Sequence, residues 1–212
     1  MLNAAGHTVY TPTLTGLGDR AHLDRPGINL ETHVEDVLAL FEMEDLRDVM
    51  LVGHSYAGFV ISAVAERAKG RMRSIVYLDA FVPENGKCLL DFVPQPERRA
   101  SMIKSGQESG YIAPLPLSAL GVIREEDLSW ATPRLVRQPF GTFQQAIRLS
   151  RPAADGIPRA FVACTKPASG TYGQFADVIR KDSTWIFREL QSGHDAMIID
   201  PEIVARFLGE LA

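Results

Sequence analysis

The sequence predicts an α/β fold: a mainly parallel sheet with helices on both faces and a helical cap inserted over one end. Two observations carry this. Short β-rich apolar runs alternate with longer runs of helical periodicity, the pattern of a sheet built from strand–helix units. Between a run ending near Asp79 and one starting near Arg159 lie about 80 residues, against the roughly 2–6-residue connections such units use, so this segment is an insertion. The chain then divides into a core of residues 1–83 and 156–212 and a cap of residues 84–155.

Taken in order, His7 to Thr13 reads as a strand with Pro12 near its end, followed by a loop through Thr15-Gly16-Leu17-Gly18-Asp19-Arg20. Thr32 with Glu35 forms a capping box ahead of Val34, Val37, Leu38 and Phe41 at helical spacing, which predicts a helix from about Thr32 to Glu42. Asp48 to Gly53 is apolar without alternation, as expected of a central parallel strand buried on both faces, and Ser74 to Leu78 and Arg159 to Cys164 repeat the pattern. A helical run through Phe59, Val60, Ala63 and Val64 follows the first of these strands. Thr184 to Arg188 reads as the last strand, and Ile203, Phe207 and Leu211 mark the final helix. In the insertion, Pro83, Pro94, Pro96, Pro114, Pro116, Pro133 and Pro139 punctuate short pieces, with Leu128, Trp130, Leu135 and Phe143 spaced as on small helices. That apolar content needs a surface to bury against, and ligands in open α/β sheets bind outside the carboxyl ends of the strands, so the segment is expected there as a cap.

Composition narrows the function classes. With 46% hydrophobic, 23% charged and 8% aromatic residues among 212 and a mean hydropathy of -0.02, the chain is neither a disordered tail, nor collagen-like, nor a disulfide scaffold. Its 22 basic and 26 acidic residues leave a net charge of -4 without a long block of either sign, so nucleic acid is not an expected partner. Cys88 and Cys164 lie far apart and frame no C-x-x-C metal site. A charged start followed by a secretory apolar stretch is not found, nor a run near the roughly 18 apolar residues of a membrane span, which makes the cytoplasm the expected location and a membrane no expected partner.

The sharpest chemical signal is Gly53-His54-Ser55-Tyr56-Ala57-Gly58, between an apolar strand and a helical run. This reads as a nucleophile elbow, a tight turn that pushes a serine hydroxyl out of the sheet and aims the first helical N–H groups at a developing oxyanion. Small residues must flank it; Gly53 satisfies this two positions before Ser55, while two positions after it stands Ala57, with Gly58 one place late. A hydroxyl is a weak nucleophile unless a base takes its proton. Ser192-Gly193-His194-Asp195, after the last strand, supplies His194 as that base, whereas His7, His22 and His33 precede the serine and read as loop or helix-surface residues, and His54 points along the turn. The acid that orients the imidazole normally follows the strand before the last one, but Thr165-Lys166-Pro167-Ala168 holds no carboxylate. Asp79, at the end of the preceding strand, is the candidate acid, with Asp177 and Asp195 as the alternatives, and a purely backbone-capping role for Asp79 stays open.

These residues together resemble the α/β-hydrolase fold, and within it the branch of plant methyl esterases, hydroxynitrile lyases and bacterial esterases, the last above all. The likeness rests on Tyr10-Thr11-Pro12-Thr13-Leu14-Thr15-Gly16-Leu17-Gly18, Thr32-His33-Val34-Glu35-Asp36-Val37, Val52-Gly53-His54-Ser55-Tyr56, Leu78-Asp79-Ala80-Phe81-Val82-Pro83 and Gly193-His194-Asp195-Ala196-Met197 in that order. It implies Ser55 as nucleophile, His194 as base and the backbone N–H of Tyr56 as one oxyanion donor. The lyase members carry a lysine close to the histidine where this chain has Asp195, which disfavours cyanohydrin cleavage.

Two departures accompany the likeness. The usual acid position is empty, and the chain opens where family members are well under way, with Leu2 to His7 matching the tail of their first helix. Relative to them the fold is expected to be N-terminally truncated, without the opening strands and the His-Gly loop that gives a second oxyanion donor. The missing strand would leave a slot of about 9.6 Å between the strands of Val9 and Val52, with unpaired backbone groups. The expected remedies are a start upstream of Met1, favoured here, a re-pairing of strands, or a second chain covering the edge as a homodimer. The expected function is a cofactor-free, metal-free serine hydrolase cleaving a small carboxylic ester through an acyl-enzyme. A weak or inactive ligand-binding relative and a lyase are the alternatives.

Overall fold

The computed structural model describes residues 1–167 and 170–212. After a 3-10 turn at Asn3–Ala5 and another at Gly18–Leu23 come helix α1 (Leu30–Met43), strand β1 (Val49–His54), α2 (Ala57–Arg67) and β2 (Met72–Leu78). The stretch up to the next long strand holds α3 (Pro96–Ser109), β3 (Tyr111–Ile112), α4 (Glu125–Ala131), β4 (Gln138–Pro139) and α5 (Gly141–Gln144), joined by short 3-10 turns. The chain closes with β5 (Arg159–Cys164), α6 (Gly170–Ile179), β6 (Ile186–Leu190), α7 (Ala196–Ile199) and α8 (Pro201–Leu211). The main sheet is parallel in the order β1-β2-β5-β6, while β3 and β4 form a separate antiparallel pair. This is the α/β architecture the periodicity predicts.

Strand side chains alternate between two apolar layers. Ile75, Tyr77, Phe161 and Ala163 face α1, α2 and α6, where Val34, Phe41, Phe59 and Phe175 complete the larger core. Val76, Leu78, Ala160, Val162 and Cys164 face α7 and α8, where Ala196 and Val204 are buried and Ile203 and Phe207 pack alongside. Period-2 alternation with helices over both faces leaves no polar position in the middle of β2 and β5, which is why these strands read as continuous apolar runs. Chemistry is displaced to the strand ends, where the backbone leaves the sheet. No helix among the described residues is long and apolar enough to cross a membrane.

Three expectations are corrected. The residues from His7 to Thr13 form no strand: they are mostly exposed and are held by side chains instead, with Tyr10 Oη donating to Glu44 at 3.1 Å and Arg20 donating to Thr13 O at 2.9 Å. An extended segment without a ladder partner has nothing to satisfy its backbone except water and such contacts. β1 lies at the edge of the sheet rather than its centre, so Val52 is 37% exposed while β2 beside it is buried. α1 starts at Leu30, not Thr32, because Asn29 is its N-cap: Asn29 Oδ1 accepts from Thr32 N–H at 3.1 Å and Thr32 Oγ1 accepts from Asn29 N–H at 3.3 Å. Asparagine is at least as good a cap as threonine, and using it adds about half a turn. Glu35 is thereby free to pair with Arg67 at 2.8 Å.

Candidate functional site

β1 ends at His54 and α2 begins at Ala57, so Ser55 and Tyr56 are the whole connection. Ser55 has φ 55°, a left-handed conformation that strains a residue with a Cβ by about 1–2 kcal/mol and persists only where neighbours impose it. They do so here: Gly58 N–H and Phe81 N–H both donate to Ser55 O at 3.1 Å, and Phe59 N–H donates to Tyr56 O at 3.0 Å. The close packing falls on two glycines. A Cβ on Gly53 would meet Ile61 Cδ1 at 2.7 Å, and one on Gly58 would lie 1.9 Å from the Phe81 carbonyl oxygen. The demand the motif places two residues after the serine is thus carried by Gly58 against backbone, and Ala57 is tolerated. Gly58→Ala is expected to cost about 1–3 kcal/mol of stability, measured by denaturant unfolding, and to lower turnover too, because Phe81 also ties down Ser55.

His194 follows β6 on a loop. Its Nδ1 lies 2.7 Å from Asp79 Oδ2, with the two residues 6% and 2% exposed. Asp79 leaves β2 at φ 42°, its N–H donating to Val162 O at 2.7 Å, and its Oδ1 accepts Cys164 N–H at 3.1 Å. The carboxylate therefore bridges the end of β5 and the imidazole, and the buried charge is met on both oxygens. The other two acidic candidates stand differently. Asp177 is exposed on α6. Asp195 has a carboxyl oxygen 3.9 Å from His54 Nε2 and turns its N–H to Leu120 O at 3.2 Å, and burial raises its pKa above the ordinary aspartate value.

His54 packs on the base. Its ring centroid is 4.3 Å from that of His194 and its Nε2–H donates to His194 O at 2.9 Å, which holds the loop backbone rather than the imidazole. Burial first and the neighbouring His194 second push its pKa down to about 3. His33, expected on a surface, is instead fully buried: Nε2–H donates to Thr15 O at 3.0 Å, so Nδ1 accepts from Tyr56 Oη at 3.0 Å, and burial lowers its pKa as well. A helix position four residues past the Asn29 cap and next to Val34 faces the core, and no surface-type partner remains for it. Both histidines are protonated more readily in the unfolded chain, so the stability they contribute as neutral rings is complete above about pH 6.5 and falls as pH drops towards 3. Denaturant midpoints measured at pH 7 and pH 5 should decline accordingly, and His54→Gln, which keeps a donor for His194 O, should flatten part of that decline.

One residue the sequence analysis did not single out completes the site. Ser55 Oγ, half-buried, is 2.9 Å from Tyr172 Oη, and the Tyr172 ring lies against the His194 imidazole with centroids 4.4 Å apart and planes 11° from parallel. Among the described residues this phenol, not the imidazole, is the hydrogen-bond partner of Ser55 Oγ. The serine and the histidine thus flank a single ring. Tyr172 stands in the first turn of α6, beyond the turn of Thr165, Lys166 and Pro167 whose lack of a carboxylate marked it as unusual; Ala168 lies outside the described residues. Tyr56, the residue after the serine, is the N-cap of α2, where N–H groups have no intrahelical acceptor.

The inserted stretch reaches this site through the histidine loop. A Cβ on Gly121 would lie 2.7 Å from Gly193 Cα, and Arg124 donates to Ile199 O at 3.0 Å. Leu117 and Val122 are buried against Ile198 and Ile199. Trp130, expected to be buried, is instead 55% exposed, covered on one side by the Arg134 guanidinium 4.7 Å from its ring. His54, His194 and Asp195 each offer one ligand atom within 4.8 Å of the others, but His194 Nδ1 and His54 Nε2 are already committed to hydrogen bonds.

Comparison with known proteins agrees with this architecture. The pattern of the alpha/beta hydrolase family matches residues 1–207. A carbendazim hydrolyzing esterase from Nocardioides is 36% identical over 219 residues, covering 99% of this chain and 90% of that protein. Among solved structures, an extracellular alpha/beta-hydrolase from Paenibacillus superposes with a TM-score of 0.85 at 23% identity, covering 99% of this chain and 89% of its own. A methylesterase from Arabidopsis gives 0.70 at 19% identity, with 99% and 89% covered.

Proposed function

The chain belongs to the alpha/beta hydrolase family, and we propose that as a carboxylic ester hydrolase it works through Ser55 as nucleophile, His194 as general base and Asp79 as the acid of the triad. The observation that carries this is the 2.7 Å contact between His194 Nδ1 and buried Asp79, placed beside a serine held at positive φ. Asp79 fixes the tautomer, keeping the proton on Nδ1 so that Nε2 carries the lone pair that accepts the serine proton. Ser55 Oγ then bonds the ester carbonyl carbon, the carbonyl electron pair moves to oxygen, and the Tyr56 N–H stabilises that charge. When the pair returns, the alcohol leaves with the proton from His194, and water repeats the cycle to release the acid. Ser55 Oγ can accept the Tyr172 O–H while its own O–H turns to Nε2, because a hydroxyl donates one hydrogen bond and accepts others.

The substrate we assign is a small-molecule ester. The Nocardioides relative is named for carbendazim, and similarity over nearly the whole chain supports a compact substrate of that order here. Residues 84–155 act as the cap that walls its pocket, a role supported by the contact of Gly121 with Gly193. The cytoplasm, where Cys88 and Cys164 stay as free thiols, is the compartment we assign. One observation favours a second reading, a ligand-binding relative without turnover: the serine rests on a phenol rather than on its base. A serine-reactive fluorophosphonate together with p-nitrophenyl ester hydrolysis decides between them. Labelling and turnover in the native chain, both lost in Ser55→Ala, support the hydrolase; an unlabelled native chain leaves the binding protein.

A further inference from the structure

Tyr172 is a half-buried phenol whose hydroxyl has Ser55 Oγ as its hydrogen-bond partner at 2.9 Å. Two aromatic contacts hold its ring. It stacks on His194, meets Phe81 edge to face with centroids 5.2 Å apart, and through Phe81 joins Phe59, Phe92 and Phe175. Gln174, two residues along α6, donates to Phe92 O at 3.0 Å and so ties that helix to the inserted stretch. A phenylalanine would serve the packing equally well. The hydroxyl is the part that packing does not explain, and it is aimed at the reacting atom.

We infer that Tyr172 is a further catalytic residue, its phenol O–H supplying an oxyanion donor alongside the Tyr56 N–H. This rests on the ester-hydrolase reading above. When Ser55 Oγ bonds the ester carbon, it loses its proton to His194 and becomes an ether-like oxygen, a poor acceptor. The former carbonyl oxygen, one bond further out, takes up the electron pair and becomes the strongest acceptor nearby. A hydroxyl already within hydrogen-bond reach of Oγ transfers its hydrogen bond to that oxygen by rotating about its own C–O bond, with its ring fixed by the stack on His194. The phenol keeps its proton throughout, since burial raises its pKa above the ordinary tyrosine range, and the charge it stabilises returns to the carbonyl when the alcohol leaves. A single oxyanion donor is worth about 10²–10³ in turnover, so this hydroxyl carries a large share of the rate.

The test is Tyr172→Phe in the full chain. Turnover of a p-nitrophenyl ester should fall about 10²- to 10³-fold with KM little changed, and affinity for a trifluoromethyl ketone, which forms an oxyanion on the serine, should weaken by a similar factor. The thermal midpoint should stay near that of the native chain. Native turnover in Tyr172→Phe, or a gain from unblocking the serine, overturns the inference while leaving the hydrolase reading in place. A native chain without serine-dependent activity removes both. If Tyr172→Phe is destabilised, a fluorinated tyrosine at position 172 keeps the shape and acidifies the phenol. The alkaline limb of the turnover profile must then move to lower pH, and an unmoved limb overturns the inference.

Discussion

Replacing Ser55 by alanine is expected to lower ester turnover by about 10⁶-fold while the chain stays folded. The effect is large because serine and base act as a unit: without Oγ no acyl-enzyme forms, and the imidazole has no proton to take. What remains is the residual rate of water in a pocket that still offers the Tyr56 N–H. The fold should survive, since the side chain is half-buried and its described hydrogen bond is to Tyr172 alone, while the strained φ of 55° is imposed by bonds to the Ser55 carbonyl, which alanine retains. Equal activity in Ser55→Ala and the native chain would remove the proposed nucleophile. Circular dichroism and the denaturant midpoint of the variant check that any loss is chemical.

Asp79→Asn is expected to cost about 10⁴-fold in turnover, the second largest effect. The amide keeps the volume and leaves an oxygen for Cys164 N–H, but its NH₂ then faces His194 Nδ1. That reverses the tautomer, placing the imidazole proton on Nε2, where a lone pair is needed. The comparison that makes this decisive is Asp195→Asn: its carboxyl group is 3.9 Å from His54, and its backbone N–H, which donates to Leu120 O, is unchanged by the substitution. Turnover near the native level in Asp195→Asn with a large loss in Asp79→Asn supports the assignment. The reverse pattern moves the acid to Asp195.

Much of this architecture is legible locally. Arg159 to Cys164 is a strand end to end, and the strand at β1, the helix after Ser55 and the final helix from Pro201 all follow from unbroken periodicity, because a run buried on both faces, or on one stripe, must repeat along its length. The strand read over His7 to Thr13 failed for a complementary reason: an extended, β-branched segment becomes a strand only when another backbone pairs with it, and pairing is not a local property. Asp79 is one of three candidate aspartates for the triad acid, which residue type does not tell apart. The parallel register that sets Leu78 opposite Val162 is what carries it to the end of β5, and so to Cys164 N–H and the imidazole.

Residues close along the chain, and the conformations those residues can adopt, account for the strand–helix alternation, the bend at Ser55 and the presence of a late histidine. Long-range packing alone sets which carboxylate meets His194, that Gly58 rather than the residue before it bears the close packing, and that Tyr172 touches both the serine hydroxyl and the imidazole. Those are contacts between segments tens of residues apart. Their distances are set by sheet order and by the stacking of aromatic rings, which no spacing along the chain encodes.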